Sequence, residues 1–345
     1  MTTPRTGFQP GEILTRDEIH PVLGGSGYAG ICPAVEKQNV LIFSDSEVGK
    51  RYGYRDGWLA EDDDLGPVFT YTGTGKQDDQ ALKGGNIAIL KHAEMGRTLH
   101  LFIAVGKVPG TDKKTHKYIG QFKVDERKPY ETRVATDEQR KVRNVIVFRL
   151  RPIGPYIRTA SDTLQLASTP RSLFSQTAGR FARSVRRQRR QLQPQTNIDH
   201  VEATRDDLAD AFEDHKVAQG ETIGQLELEM RNTADRLTCG LYSQTNNTVY
   251  EPTGSTASES IAQAITQLLL ARHYLRDLEP DQPLHLMLLT PALPREDLRG
   301  LLIEHGIGIV YRTDSGGFAE FTTSSAPPGS APRSFRCLDC PVSAA

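Results

Sequence analysis

Two aromatic segments punctuated by glycine, Tyr52-Gly-Tyr-Arg-Asp-Gly-Trp58 and Phe69-Thr-Tyr-Thr-Gly-Thr-Gly-Lys76, stand one short loop apart and constrain this chain more than any other feature. Aromatic and β-branched residues bounded by glycine read as short strands. Two such strands joined to a Gly-Thr-Gly turn gather rings, one carboxylate and backbone amides around a small space. That space suits one flat heterocycle, held between rings and read along its edge. The continuation to Leu90, through Asp79-Gln80 and Gly84-Gly-Asn86, predicts a helix over Gln80 to His92.

With 345 residues the chain is long enough for two domains, each with its own core. No apolar run approaches the roughly 20 residues of a membrane-spanning helix, and no basic-then-apolar leader opens the chain, so a soluble, cytoplasmic protein without membrane contact is expected. Cys32, Cys239, Cys337 and Cys340 are too few and too scattered for a disulfide framework. Cys337-Leu-Asp-Cys340 has the spacing of half a zinc site but lacks a second pair, so no metal is assigned. The net charge of −1 hides an asymmetry: 22 Lys and Arg against 20 Asp and Glu over residues 1–150, nine against one over 151–195, and 11 against 22 over 196–345. A basic middle is the footprint of a polyanion partner.

Residues 8–152 read as a mixed, mostly β domain. Thr15 with Glu18 three residues on is a capping box that opens a short helix. Val40–Phe43, Arg51–Trp58, Val68–Tyr71, Leu99–Val105, Lys117–Phe122 and Asn144–Leu150 are β-rich runs, which together suggest a curved sheet or barrel. Residues 153–197, with Arg180, Arg183, Arg186, Arg187, Arg189 and Arg190, read as a basic linker, either solvated or laid along phosphates. Residues 198–322 turn to α/β patterning, with helices over Glu202–His215, Ser258–Leu275 and Arg295–His305 and strands between them. Residues 323–345 are Ser/Pro/Ala-rich and expected to be disordered.

The first domain resembles the SRA-like domain of McrA-type, modification-dependent restriction enzymes and, more broadly, the SRA family of methylcytosine readers. The resemblance rests on Leu14-Thr-Arg16, Gly30-Ile31, the Tyr-x-Asp-Gly-Trp run ending at Trp58, the Tyr71-Thr-Gly-Thr-Gly75 turn, Asp79-Gln80, Gly85-Asn86, His92, Gly96-Arg-Thr-Leu-His-Leu-Phe102 and Tyr118-Ile-Gly-Gln-Phe122. It implies an α+β domain that flips a modified base out of duplex DNA into a concave pocket. Extrusion costs a few kcal/mol, and stacking on an aromatic ring returns about 1–3 kcal/mol per base. Stacking is assigned to Tyr54 and Tyr71, with Trp58 as a third wall. Asp56 is expected to accept a hydrogen bond from an exocyclic amine such as cytosine N4, with backbone at Thr72 and Gly73 reading the remaining edge. Arg16, Lys76, Lys83, Asn86 and Lys91 are candidate DNA contacts, and Ser26 and Tyr28 are candidates to fill the gap left by the base. Asp62, Asp63 and Asp64 are expected to form a solvated loop turned away from DNA, and His92 to be structural.

The second domain resembles the α/β restriction-endonuclease-like fold of the PD-(D/E)XK type, in the frame Leu241 to Ser255 followed by Ala264-Ile-Thr-Gln-Leu268. Glu251 and Gln267 remain as candidate catalytic groups. Gly240 and Ser243 stand where the metal-binding Asp would fall, and Thr253 where the Lys would fall. Hydrolysis with a divalent metal needs more than one carboxylate on the ion. Two readings stay open: a degenerate nuclease fold behind a non-catalytic reader, or an active endonuclease that uses Mg²⁺ with Glu251, Asp235 or Glu202. Binding itself calls for no cofactor. The expected partner is double-stranded DNA carrying 5-methyl- or 5-hydroxymethylcytosine, accompanied by a partner nuclease or a second copy of the chain.

Overall fold

The capping box expected at Thr15 is formed. The Thr15 amide and hydroxyl both donate to Glu18, at 2.8 Å each, where β1 (Ile13–Thr15) turns into α1 (Arg16–Leu23). The computed structural model describes residues 7–25, 27, 29–139, 141–166, 168–192, 196–233, 236–278, 283–321 and 335–337. They fall into two units, Met1–Leu166 and Ala167–Ala345. Among the described residues no helix is long and apolar enough to cross a membrane.

In the first unit β2 (Ile31–Ala34), β3 (Asn39–Ser44), α2 (Ser46–Arg51), β4 (Gly57–Trp58), β5 (Phe69–Thr72), α3 (Gly85–Leu90), β6 (Thr98–Lys107), β7 (Lys114–Val124), β8 (Tyr130–Thr136) and β9 (Val142–Tyr156) follow in order. The strands build one mixed sheet in the order β2-β3-β6-β7-β9-β5-β4, with β1 added to β7 and β8 to β9; only β3 and β6 run parallel. Register shifts at Leu101/Phe102, Ala104/Gly106 and Gly120/Gln121 are bulges, which bend and twist the long strands. Leu14, Ile19 and Leu23 pack with Leu41, Phe43, Phe102 and Tyr118 to hold α1 on the sheet.

Three expectations for this unit are corrected. The run Arg51–Trp58 is a strand only at Gly57–Trp58, because Asp45 accepts from the amides of Glu47 and Val48 and starts a helix that ends at Arg51. The helix expected over Gln80–His92 shrinks to α3. Gln80 is fixed instead by its amide donating to Asn144 O (3.0 Å) and its side chain donating to Gly73 O and accepting from the Ile146 amide. The acidic run is not bare: Asp63 accepts two bonds from Arg151 (2.8 and 2.6 Å), Asp64 from Arg127 and Asp62 from Arg158. The Arg151 guanidinium holds the Asp63 carboxyl down at about 2.

The second unit contains β10 (Arg171–Ser175), α4 (Ala178–Gln191), α5 (Asn197–Ala218), β11 (Ile223–Glu229), β12 (Arg236–Ser243), β13 (Thr248–Pro252), α6 (Ser258–Leu278), β14 (His285–Thr290), α7 (Glu296–Glu304), β15 (Ile307–Arg312), β16 (Phe318–Phe321) and β17 (Phe335–Cys337). The sheet runs in sequence order from β10 to β17. Pairs from β10 to β13 are antiparallel, β13-β14-β15 parallel, and the last two pairs antiparallel. Ile261, Ala264, Leu268 and Leu302 of α6 and α7 share one apolar cluster with Leu226, Val249, Leu288 and Ile309, whereas Leu208, Ala209 and Phe212 of α5 share another with Leu241, Tyr250, Leu289 and Val310. Sheet residues thus feed two separate helix-packed cores. Gly254 passes so close to α5 that an added Cβ would lie 1.8 Å from Val201 O, so only glycine fits there.

Residues 153–197 are not a linker. Their first part completes β9, Thr163 bridges to Trp58, and Arg171–Ser175 and Ala178–Gln191 are β10 and α4. The arginines expected along phosphates meet carboxylates of α5: Arg180 with Glu213 and Asp214, Arg183 with Asp210 and Glu213, Arg186 with Asp206, Arg187 with Asp207 and Asp210, and Arg190 with Asp206. The basic middle of the sequence is therefore matched by the acidic stretch that follows it. Of residues 323–345, expected to be disordered, 335–337 form β17 on the sheet edge; the others, Cys340 among them, lie outside the described residues.

Candidate functional site

A cavity of about 790 Å³ opens in the first unit, with Gly30, Phe43, Tyr52, Tyr54, Asp56, Tyr71, Thr72, Gly73 and Lys76 in its lining. Asp56 lies in this wall because β4 and β5 pair at Gly57 and Thr70, which brings the residue before β4 to the end of β5. Its Oδ1 accepts from the Thr72 amide at 2.8 Å and its Oδ2 from the Ser44 hydroxyl at 3.2 Å. Burial pushes the Asp56 carboxyl up to about 6, against the opposing pull of those two bonds and of Arg133. A carboxylate oxygen has lone pairs beyond one bond, so Asp56 retains acceptor capacity toward the cavity.

The tyrosines are held from behind. The Tyr71 hydroxyl donates to Gly30 O at 3.1 Å, and burial first, then Asp56, raises its pKa well above the ordinary phenol value. The Tyr54 hydroxyl donates to Gly75 O (2.7 Å) and accepts from Arg143 (2.9 Å) and Gln80 (3.2 Å). The Tyr52 and Tyr54 rings lie 5.8 Å apart, and the Lys76 ammonium sits 5.5 Å from the Tyr52 ring centre. With both phenols tethered, the rings have little rotamer freedom left to lose when a ligand enters.

Residues 73–75 are fixed by side chains that sequence reasoning had placed elsewhere or missed. Asn86, expected on the DNA surface, is 1% exposed; it accepts from the Thr74 amide (2.8 Å) and donates to Thr74 O and Ala81 O. Gln80 donates to Gly73 O at 2.6 Å, and Arg143, 2% exposed, donates to Gly75 O at 2.6 Å. Gly73 itself donates to Ile146 O, and a Cβ there would lie 2.6 Å from Asn86 Oδ1. Gly73→Ala is therefore expected to push the turn off Asn86 and weaken ligand binding about tenfold or more while the unit stays folded. Fluorescence-anisotropy titration beside a circular-dichroism melt checks both parts.

Not every expected site residue reaches the cavity. Trp58, expected as a third wall, is fully buried outside the lining, among Phe69, Phe122 and Tyr156 with centroids 5.4–5.7 Å away. It is core because β4 pairs with β5 between two other aromatic layers. Arg16, expected on phosphates, lines the cavity with its guanidinium 3.7 Å over the Phe43 ring and donates to Gly27 O and Ala29 O. Lys76 and Lys83 are exposed, and Lys91 faces Glu94 at 3.6 Å. Ser26 and Tyr28 lie outside the described residues. His92 is buried with Nδ1 against Ile89 O at 2.9 Å, as a structural histidine would be.

In the second unit Glu251 ends β13, its carboxyl pushed up to about 7 by burial against the pull of Arg205 and Arg186. Ser243 donates to Glu221 at 2.7 Å, Thr253 donates to Ser255 O, and Gly240 sits on β12 opposite a register shift. Gln267 is half-buried on α6, Glu202 lies 4.0 Å from Arg190, and Asp235 is outside the described residues. Among the described residues no group of three or more His, Cys, Asp and Glu is placed to hold a metal ion.

Residues 10–167 match the family model of the SRA domain, ScoMcrA-like. No curated protein matches the chain. Solved structures similar to the first half include the sulfur-binding and SRA domains of ScoMcrA complexed with phosphorothioated DNA, at 22% identity and a TM-score of 0.32 over 43% of this chain and 40% of that one. Also similar are the type IV phosphorothioation-dependent restriction endonuclease ScoMcrA (22%, TM-score 0.33, 44% and 25%) and the SUVH5 SRA domain with fully methylated CG DNA (21%, TM-score 0.29, 44% and 94%). The similarity thus spans 40% or less of either ScoMcrA chain and is confined to fewer than half of the residues of this one.

Proposed function

We propose that the first unit reads a modified cytosine in double-stranded DNA by turning the base out of the stack and into the cavity. The observation that carries this reading is a tethered carboxylate, Asp56, set in one cavity lining with Tyr54 and Tyr71. Rings supply stacking and the carboxylate accepts from the N4 amine. The match of residues 10–167 to the SRA domain family supports it, and the DNA complexes of the similar structures accord with it. A gel-shift panel of unmodified, 5-methyl and 5-hydroxymethyl duplexes tests it: the modified duplexes should bind more tightly, and equal binding would overturn the reading.

The Asp56 carboxyl gives the binding a pH signature. Its folded pKa of about 6 lies above the ordinary carboxylate value, so its contribution to fold stability is full when protonated at low pH and lost as pH rises toward and through 6. Binding has the opposite sign, because acceptance from an amine needs the ionised form. Affinity for the modified duplex should be level above about pH 7 and fall up to about tenfold per unit below 6, which anisotropy titrations between pH 5 and 8 would measure.

For the second unit we propose a restriction-endonuclease-like scaffold that has lost its metal chemistry and serves a nuclease encoded elsewhere, within a modification-dependent restriction system. The order α5-β11-β12-β13-α6-β14, with β12 antiparallel to its neighbours and β13 parallel to β14, favours that fold. The residues do not fit Mg²⁺: Glu251 stands without a converging second carboxylate, and Ser243 and Thr253 are engaged in local hydrogen bonds. Incubating methylated plasmid with the protein and magnesium should leave it intact; magnesium-dependent cutting would establish the endonuclease reading instead.

A further inference from the structure

We infer that the cavity accepts a pyrimidine whose 5-substituent is a hydroxyl-rich group as large as a hexose, a step that rests on the base-reading role proposed above. Clefts of about 300–1,000 Å³ enclose drug-sized ligands, and a methylated pyrimidine is far smaller than that. The buried end of the cavity, at Tyr71 and Thr72, suffices for the base. The remainder reaches an exposed end lined by Thr15, Asp17, Asp45, Thr111, Lys113 and Lys114.

The chemistry of that end suits a neutral polyol. Lys113 pairs with Asp17 at 2.7 Å and Lys114 pairs with Asp45, so the lysine charges are answered locally and the surface shows donors and acceptors side by side. An anion would want an unbalanced positive patch. A hydroxyl donates once and accepts twice, which matches alternating ammonium, carboxylate and threonine groups. His116 adds to this: it is in the lining, 3% exposed, and its Nδ1 has no hydrogen-bond partner among the described residues. Burial first, then Arg16, holds the ring's pKa down at about 4, so it stays neutral and offers a donor or an acceptor.

The test uses the full chain and four duplexes that differ at one base: cytosine, 5-methylcytosine, 5-hydroxymethylcytosine and glucosylated 5-hydroxymethylcytosine. The inference expects the glucosylated duplex to bind at least as tightly as the methylated one, and the Asp17→Ala/Lys113→Ala double variant to lower its affinity about tenfold more than that of the methylated duplex. Tight binding of the methylated duplex with glucosylated binding no better than plain cytosine would overturn this inference and leave the reader intact. An equal loss on all four duplexes in the double variant would assign that end of the cavity to the DNA backbone and overturn it too. Equal affinity of the parent protein for all four would remove the base-reading role itself.

Discussion

Asp56→Ala should bind methylated and unmodified duplexes alike, with the parent's preference lost and weak, sequence-independent binding retained. A hydrogen bond to a charged group contributes about 1.5–3 kcal/mol, a factor of roughly 10–150 in affinity, and it is one an exposed phosphate contact cannot replace. The substitution leaves the Thr72 amide and Ser44 hydroxyl without their acceptor. It also removes a carboxyl whose ionisation the fold disfavours, so the loss of recognition should exceed the loss of stability. Asp56→Asn sharpens the test, because it keeps the size and one acceptor oxygen while offering an amide that opposes the N4 amine. Competition gel shifts with methylated and unmethylated duplexes read the ratio directly. A variant that still discriminates as the parent does would remove Asp56 from the recognition of the base.

The second large effect is expected far from the cavity in sequence. Arg183 is 3% exposed and spans Asp210 and Glu213, the latter also 3% exposed. Arg183→Ala leaves a buried carboxylate short of its partner, an imbalance that typically costs about 3–5 kcal/mol. The second unit should then melt at a clearly lower temperature, while affinity for the modified duplex is retained through the first unit. Differential scanning calorimetry and anisotropy on the same sample separate the two. A steep fall in DNA affinity at unchanged melting temperature would return the arginines to a phosphate-binding role.

The sequence made some of this legible and misled elsewhere, for identifiable reasons. The Thr15–Glu18 cap, β3, β5 and the core of β9 follow from local patterns that no distant contact overrides. Tyr54, Asp56, Tyr71, Thr72 and Gly73 share one cavity lining because they flank a single strand pair. Trp58 belongs to the same local run, yet its burial is decided by Phe122 and Tyr156, residues that no nearby spacing connects to it. Asn86 and Gln80 read as surface polar groups until the turn at 73–75 folds over them. The arginine series 183, 186, 187 and 190 was misleading for a different reason. Its helical spacing is mirrored by Asp206, Asp210 and Glu213, and a pair of matched helices has the same composition as a basic arm followed by an acidic domain. Counting charge by segment records the asymmetry; only the packing of α4 on α5 shows that it is internally neutralised.

The most direct test of the central claim is a structure of the full chain bound to a duplex with one 5-methylcytosine. The account predicts that base outside the helix, between Tyr54 and Tyr71, with its N4 amine on the Asp56 carboxylate. A complex in which the methylated base stays paired and stacked, with the cavity empty of it, would contradict the account.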